Sequence, residues 1–238
     1  QMLFVGRENV GALRGNQNLE IVLLAGGVYG PVYRVERFLG DGLPIHSVHP
    51  RSIPVALSEE NRPVAPRLRM RYYAGTTMQR KAYTLLKEAE GSWWYRGRAR
   101  VIRAMLKRAG VSLPVRSVLD FGVGNGASYT DFAQLSGAVD AFEPDEEARA
   151  GAALRGYRRT YETAEEALAR PAYDLIGLCD VLEHIRDDVG VLQSVREALT
   201  PGGTLVITVP AFGFLWGEHD TVHHHFRRYN RRGLKRVL

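Results

Sequence analysis

Three glycines follow a short apolar run that contains one acid. The run Val118–Phe121 carries Asp120, and Gly122, Gly124 and Gly126 come directly after it. Because glycine has no Cβ, its backbone turns sharply and a ligand can lie against it. When such a turn leads into a helix, backbone N–H groups face that ligand. The spacing therefore predicts a strand, a glycine loop and a helix that together bind a cofactor, although a plain strand-to-helix turn has the same pattern.

A second acid stands where a ribose contact is expected. The apolar stretch Val139–Phe142 predicts another strand, and Glu143 follows it, close to the offset of about 20 residues typical of dinucleotide-binding folds. The loop also fits the dinucleotide pattern if Ala127 is its third small position. Asp120 argues against that cofactor, because a carboxylate at the mouth of the loop repels a pyrophosphate and attracts ammonium and sulfonium charges.

A third ionisable group follows the apolar stretch Leu175–Cys179. In a helix beginning there, Asp180, Glu183 and His184 would share one face, being three and four residues apart. Asp180 and Glu183 resemble a capping box, which would make them structural. The same three side chains can bind a metal ion. We take the metal alternative as the weaker one and predict no metal ligand.

Histidines are concentrated near the end of the chain. His219 and His225 lie in a segment that also contains Arg227 and Arg228. The unperturbed histidine pKa of about 6.5 suits proton transfer at neutral pH, so either histidine could take a proton from an acceptor. The arginines could bind an anionic group through paired hydrogen bonds or pair with acids of the domain. The spacing fits no usual zinc pattern.

These features together resemble the class I S-adenosylmethionine-dependent methyltransferases, from about Trp93 to Leu238. In that family the glycine loop holds the methionine end of the cofactor and the acid after the second strand binds the ribose. Residues after the third and fourth strands border the adenine and the rest of the cofactor. The resemblance implies that S-adenosylmethionine is contacted by these residues: Asp120, Gly122, Gly124, Gly126, Glu143, Thr163, Ala164, Cys179, Asp180 and Val181.

The histidine-rich segment resembles one branch of that family, in which a Trp precedes His-Asp and then His-aromatic-Arg-Arg-Tyr. There the segment covers the cofactor and forms part of the acceptor pocket, and an upstream aromatic and basic stretch forms a lid near the methionine end. The matching residues here are Trp93, Trp94, Arg96 and Arg98. The resemblance implies three candidate catalytic residues, His184, His219 and His225. It implies substrate contacts by four residues, Trp216, Arg227, Arg228 and Tyr229.

Strands and helices alternate at short spacing, which predicts an α/β fold with a Rossmann-like, doubly wound parallel sheet. Ligands then bind at the carboxyl ends of the strands. The predicted helices before the sheet are Ala82–Glu90 and Tyr95–Ala109, and the predicted strands are Arg116–Phe121, Val139–Phe142, Thr160–Thr163, Leu175–Cys179 and Thr204–Val209. The family's fold has two further strands. We expect the sheet to be truncated before those last two strands, with the fifth strand as an exposed edge.

Three regions follow from these patterns. Residues 1–69 form an extension or linker of unknown structure, residues 70–113 a helical lid, and residues 114–238 a cofactor-binding domain that is incomplete at its C-terminus. Prolines interrupt the first region and no amphipathic period persists there. We expect a piece of a longer gene product, whose first residues could be non-native.

The net charge of +6 is unevenly distributed. Residues 1–110 carry 18 basic and 8 acidic side chains, residues 111–217 carry 8 and 16, and residues 218–238 carry 6 and 2. The basic flanks are either solvated surface or attract an anionic substrate, a membrane face or nucleic acid. No apolar run reaches the roughly 18 residues that span a bilayer. One cysteine allows no internal disulfide and suits the cytoplasm.

We therefore predict methyl transfer to an oxygen, nitrogen or carbon nucleophile of a small-molecule, lipid or sugar-linked acceptor, which could be anionic. The alternatives are a nicotinamide-dependent oxidoreductase and a non-catalytic cofactor-binding module. We expect no nucleic-acid partner, because base-amino methylases carry a Pro-Pro-aromatic motif where this chain has Asp180 to Glu183 and no RNA-binding appendage is visible. Peripheral contact with a membrane is compatible with the sequence.

Overall fold

The computed structural model describes residues 2–7, 18–27, 30–39, 93–169 and 172–238. The predicted helix Ala82–Glu90 lies outside the described residues, as does the boundary expected between residues 69 and 70. The boundary expected between residues 113 and 114 falls in the connection between the long first helix and the parallel part of the sheet.

Eight strands form one sheet, in the order β3-β2-β1-β8-β7-β4-β5-β6. The strands are β1 (Met2–Arg7), β2 (Asn18–Gly27), β3 (Gly30–Leu39), β4 (Val118–Phe121), β5 (Val139–Phe142), β6 (Arg159–Tyr161), β7 (Tyr173–Cys179) and β8 (Leu199–Val209). The five strands from β4 to β8 are parallel, whereas β1, β2 and β3 form an antiparallel meander. The predicted α/β, Rossmann-like parallel sheet is confirmed.

Seven α-helices are assigned within the described residues. They are α1 (Trp93–Arg108), α2 (Tyr129–Ala133), α3 (Glu146–Ala153), α4 (Ala164–Ala167), α5 (Asp188–Ala198), α6 (Glu218–Val222) and α7 (Arg231–Val237). Short 3₁₀ turns at Leu182–His184 and Gly213–Leu215 follow β7 and β8. The helix predicted after the glycine loop is α2, which ends at Ala133.

The core lies on both faces of the parallel sheet. Along β4, Val118 belongs to one buried cluster, while Leu119 and Phe121 belong to the other, as the two-residue period of a strand requires. On one face the Phe132 ring lies over Gly177, where an added Cβ would come within 2.1 Å of the ring. Covering both faces is typical of parallel sheets, and it leaves the carboxyl edge of the strands as the place for a ligand.

Register brings the chemistry-bearing residues to that one edge. Phe121 lies opposite Phe142, and Cys179 lies opposite Thr208. The residues that follow β4, β5, β7 and β8 therefore meet at the same end of the sheet.

The fifth parallel strand, β8, is not an exposed edge, so that expectation is wrong. Strand β1 pairs with it in antiparallel register, from Met2 opposite Val209 to Arg7 opposite Thr204. The two strands are distant in sequence, and such pairing carries no local signal that sequence patterning could detect. Among the described residues, no helix has the length and apolar character needed to cross a membrane.

Candidate functional site

The glycine loop requires glycine for two different reasons. Gly122, Gly124 and Gly126 have φ values of +77°, +56° and +82°, a region that other residues rarely adopt. An added Cβ would also lie 2.8 Å from Val181 Cγ2 at Gly122, and 3.1 Å from Ala152 Cα at Gly126. At Gly124 it would meet nothing within 4 Å. The middle of the loop therefore faces open space in which a ligand can lie.

Asp120 lies buried beneath this loop and not at its mouth. Its Oδ2 accepts hydrogen bonds from the Ser128 hydroxyl and the Tyr157 hydroxyl, each at 2.6 Å. Burial raises the pKa of Asp120 to about 6, and the two hydrogen bonds oppose that shift. The carboxylate thus ties β4 to the start of α2 and to the connection after α3.

Glu143 reaches the glycine loop, a contact that its spacing did not predict. Its Oε2 accepts the Gly124 N–H at 2.7 Å and its Oε1 accepts the Asp145 N–H at 3.1 Å. Burial raises the pKa of Glu143 to about 7, although both backbone hydrogen bonds lower it. The acid that the sequence assigned to a ribose therefore bonds the loop itself in this structure.

Arg98 connects the long helix α1 to the far side of the loop. This buried side chain donates from Nε to Asp131 Oδ2 at 2.8 Å and from Nη1 to Asp180 Oδ2 at 3.1 Å. Its Nη2 and the Oδ1 of Asp180 are both buried and have no hydrogen-bond partner among the described residues. Leaving a buried donor or acceptor unsatisfied costs roughly 1–3 kcal/mol. A ligand with a carboxylate and an ammonium group would satisfy both atoms.

Asp180 does not cap a helix, so the capping-box interpretation is wrong. Its φ is +59°, and Val181 precedes the 3₁₀ turn without a side-chain cap. A positive φ costs energy in any residue with a Cβ, and such strain is concentrated at functional sites. Here it directs the carboxylate toward Arg98.

The remaining predicted cofactor residues also follow strands at this edge. Thr163 is exposed and caps α4 by accepting the Glu166 N–H at 3.3 Å, and Ala164 beside it is buried. Cys179 ends β7, and burial raises the pKa of its thiol well above the usual range. A neutral thiol is a poor nucleophile, so Cys179 can only border a ligand.

The predicted catalytic histidines form one cluster. The ring centroids of His184 and His225 are 4.6 Å apart, and those of His219 and His225 are 5.8 Å apart. His223 joins them, 4.1 Å from His219. Burial is the main cause that lowers the pKa of His184 to about 3 and of His223 to about 4. These two rings are therefore neutral at pH 7.

Asp220 organises this cluster from a fully buried position. It accepts His225 Nδ1 at 2.8 Å, the Gly217 N–H at 2.8 Å, and two nitrogens of Arg228 at 2.7 Å and 2.8 Å. Burial opposes ionisation, but these hydrogen bonds outweigh it and hold the pKa of Asp220 below its usual range. An ionised Asp220 fixes the orientation of the His225 ring through Nδ1.

Of the four residues predicted to bind substrate, three contact acids of the domain and one is exposed. Arg228 pairs with Asp220, while Arg227 pairs with Asp188, which also accepts the Tyr229 hydroxyl at 2.8 Å. The structure therefore adopts the alternative in which the arginines pair with acids of the domain. Trp216 is 44% exposed.

Comparison with known proteins places the domain. A family model described as a methyltransferase domain matches residues 93–238. The chain belongs to this methyltransferase family. The methyltransferase is 36% identical over 96 residues to a ubiquinone biosynthesis O-methyltransferase of Vibrio cholerae, covering 37% of this chain and 39% of that protein. It is 33% identical over 96 residues to the protein of that name in Escherichia fergusonii, covering 37% and 40%. The match thus spans about two fifths of these curated relatives.

A solved structure of the plantazolicin methyltransferase BpumL in complex with S-adenosylhomocysteine shares the fold. It is 15% identical to this methyltransferase, covers 70% of each chain, and superposes with a TM-score of 0.55. That likeness supports the class I architecture described above.

Sequence reasoning missed several residues that hold this methyltransferase's site together. Ser128 and Tyr157 both bond Asp120, and Asp131 holds Arg98. The position of Ser128, two residues after Gly126, was a usable signal. The glycine loop turns the chain back, so that the serine hydroxyl reaches Asp120 on the preceding strand. Tyr157 has no fixed spacing to Asp120 that could have marked it.

Proposed function

We propose that this protein transfers the methyl group of S-adenosylmethionine to an oxygen, nitrogen or carbon nucleophile of a small-molecule, lipid or sugar-linked acceptor. One observation carries the proposal. Arg98 Nη2 and Asp180 Oδ1 are buried without partners, beside a glycine loop that faces open space at Gly124. A donor for a carboxylate and an acceptor for an ammonium group suit the methionine end of that cofactor.

The other cofactor contacts follow from the edge of the sheet. Glu143 would bind the ribose hydroxyls, with the adenine near Thr163 and Ala164. The bound cofactor supplies a methyl carbon already activated by its sulfonium. The chain's own residues then hold the reactants in line and exclude water, effects worth several kcal/mol of the barrier.

Proton removal from the acceptor is assigned to His219 or His225. Asp220 holds Nδ1 of His225 at 2.8 Å, so Nε2 is the atom that can accept a proton. His219 is exposed and lies in the same cluster. Trp216 would cover the acceptor from the segment after β8. The names of the two curated O-methyltransferase relatives favour an oxygen nucleophile.

The test is calorimetric titration with S-adenosylhomocysteine and, separately, with NAD. We expect S-adenosylhomocysteine to bind and NAD not to bind. Asp180→Asn should weaken S-adenosylhomocysteine binding about tenfold or more, since a charged hydrogen bond contributes roughly 1.5–3 kcal/mol. Arg98→Gln should also weaken S-adenosylhomocysteine binding.

Arg103→Gln is the matched control, because Arg103 lies on the same helix but is exposed and bonds Gln134 at 3.2 Å. NAD binding without S-adenosylhomocysteine binding would instead indicate the oxidoreductase alternative. Tight S-adenosylhomocysteine binding without turnover of any O, N or C acceptor would indicate a non-catalytic module.

A further inference from the structure

We propose that Glu183, His184 and His225 bind one divalent transition-metal ion next to the methyl-transfer pocket. Each offers one ligand atom, and these three atoms lie within 4.8 Å of one another. Three ligand atoms held at about 2.1 Å from a tetrahedral ion lie roughly 3.4 Å from one another. Side-chain rotations that bring the three atoms about 1 Å closer would therefore close the cluster around an ion.

Glu183 provides the first independent support. Its carboxylate is buried, and Oε2 has no hydrogen-bond partner among the residues that the structure describes. A buried carboxylate oxygen without a partner carries a large desolvation cost. The backbone fixes its position, because the Phe226 N–H donates to the Glu183 carbonyl oxygen at 2.8 Å. A metal ion would satisfy the free oxygen.

The hydrogen bonds that orient the two histidine rings provide the second support. His225 uses Nδ1 for Asp220 at 2.8 Å, and the His184 ring has a hydrogen bond to the backbone of His223. These contacts orient each ring and use one hydrogen-bonding position of each. Metal-binding histidines characteristically make this outer contact to a carboxylate or a backbone carbonyl. Arg228 holds Asp220 in turn, with its Nε 2.7 Å from Oδ1.

The chemistry of the ligand set selects the kind of ion. Two imidazoles and one carboxylate suit Zn²⁺, Fe²⁺, Co²⁺ and related ions better than Mg²⁺ or Ca²⁺, which prefer oxygen ligands. Three protein ligands leave coordination positions for a substrate atom. The role of the ion rests on the proposed function: it would bind the acceptor oxygen and ease loss of its proton. With His225 bound to the ion it could not also accept a proton, so of the two candidate bases His219, which is outside the ligand set, would receive it.

This metal site differs from the metal site that the sequence alone suggested. Asp180, Glu183 and His184 on one helix face would have been the ligands there, but the structure turns Asp180 toward Arg98. His225 replaces it from the later histidine-rich segment. The expectation of no metal ligand is revised by this proposal.

The experiment measures Co²⁺ and Zn²⁺ binding to the chelator-treated full chain, by the visible absorption of Co²⁺ and by calorimetry with Zn²⁺. We expect one ion per chain. Glu183→Gln, His184→Gln and His225→Gln should each weaken binding at least tenfold. His219→Gln and His224→Asn are the controls and should leave the affinity unchanged. His224 is exposed at a φ of +54°, which asparagine tolerates.

Absence of Co²⁺ and Zn²⁺ binding at millimolar concentration would overturn the proposal. Binding that the three ligand variants leave unchanged, or that His219→Gln weakens equally, would also overturn it. Circular dichroism melting shows whether each variant is folded, and two of the three suffice for the comparison. Metal binding without S-adenosylhomocysteine binding would contradict the proposed function alone. S-adenosylhomocysteine binding without metal binding would contradict the metal site alone.

Discussion

Asp120 shows how neighbouring groups can set the pKa of a single buried carboxylate. Two hydroxyls, from Ser128 and Tyr157, donate to the same oxygen at 2.6 Å. Burial favours the neutral acid, with a pKa of about 6, whereas the hydroxyls favour the charged form. The charge on this acid therefore depends on these two hydroxyls.

Tyr157→Phe tests this arrangement. Loss of one donor should raise the pKa of Asp120 above about 6 and weaken S-adenosylhomocysteine binding several-fold at pH 7, with a larger effect at pH 6. Calorimetric titration across this pH range measures both. Tyr129→Phe is the control, since its ring lies 4.8 Å from the Tyr157 ring but does not bond Asp120. An identical pH profile in the two variants would contradict the positioning role.

His219 carries a second prediction at this scale. If it takes the acceptor's proton, His219→Gln should lower kcat by about 100-fold or more. The affinity for S-adenosylhomocysteine should stay within about twofold, because the ring is not assigned to the cofactor. Steady-state kinetics and calorimetry separate the two effects. Unchanged kcat in both His219→Gln and His225→Gln would remove the histidine cluster from catalysis.

Among the elements, the glycine loop is the most constrained by packing. Gly126 combines a φ of +82° with a backbone neighbour 3.1 Å from an added Cβ, namely Ala152 on α3. Gly126→Ala should therefore lower the free energy of unfolding by about 2 kcal/mol or more, from backbone strain and displacement of the helix.

Urea unfolding measures this change. Gly137→Ala is the matched control, since an added Cβ there meets nothing within 4 Å and φ is not positive. We expect it to be neutral or slightly stabilising. Equal destabilisation by the two substitutions would mean that close packing of the loop on α3 does not matter.

At this scale the sequence predicted the parts that depend on local pattern. Apolar runs located four of the five parallel strands, and β6, which lacks such a run, was expected only from a weak pattern. The spacing of Asp120, the glycines and Glu143 predicted a ligand loop at the carboxyl ends of the strands. The capping box at Asp180 failed, because a left-handed backbone at one residue outweighs a favourable pair of side-chain types. The pairing of β1 with β8 and the contact of Arg98 with Asp131 join distant parts of the chain, and no local spacing reveals them.

Across the whole molecule, buried acids make stability depend on pH. The pKa of Glu143 rises from 4.5 to about 7 on folding, so the native state holds this proton more tightly than the unfolded chain does. Its contribution to stability is therefore greatest below about pH 4.5 and is lost as pH rises to about 7. The loss amounts to about 3 kcal/mol, at 1.36 kcal/mol for each pH unit.

Glu143→Gln isolates this contribution, because glutamine does not titrate. The variant's stability relative to the parent protein should increase by about 3 kcal/mol between about pH 4 and pH 8. Urea unfolding of both proteins in cofactor-free buffer, at several pH values, gives the difference directly. A difference that stays constant with pH would show that Glu143 titrates normally in the native state.

The bond between Glu143 and the Gly124 N–H has a consequence for turnover. With no ribose bound, the Gly124 N–H occupies one acceptor position of this buried carboxylate. If Glu143 binds the ribose as proposed, the sugar hydroxyls would share this carboxylate with the amide or displace it, so the bound product would compete with an intramolecular donor. We expect this competition to speed the release of the demethylated product, so that the enzyme returns to its cofactor-free state without a separate opening step.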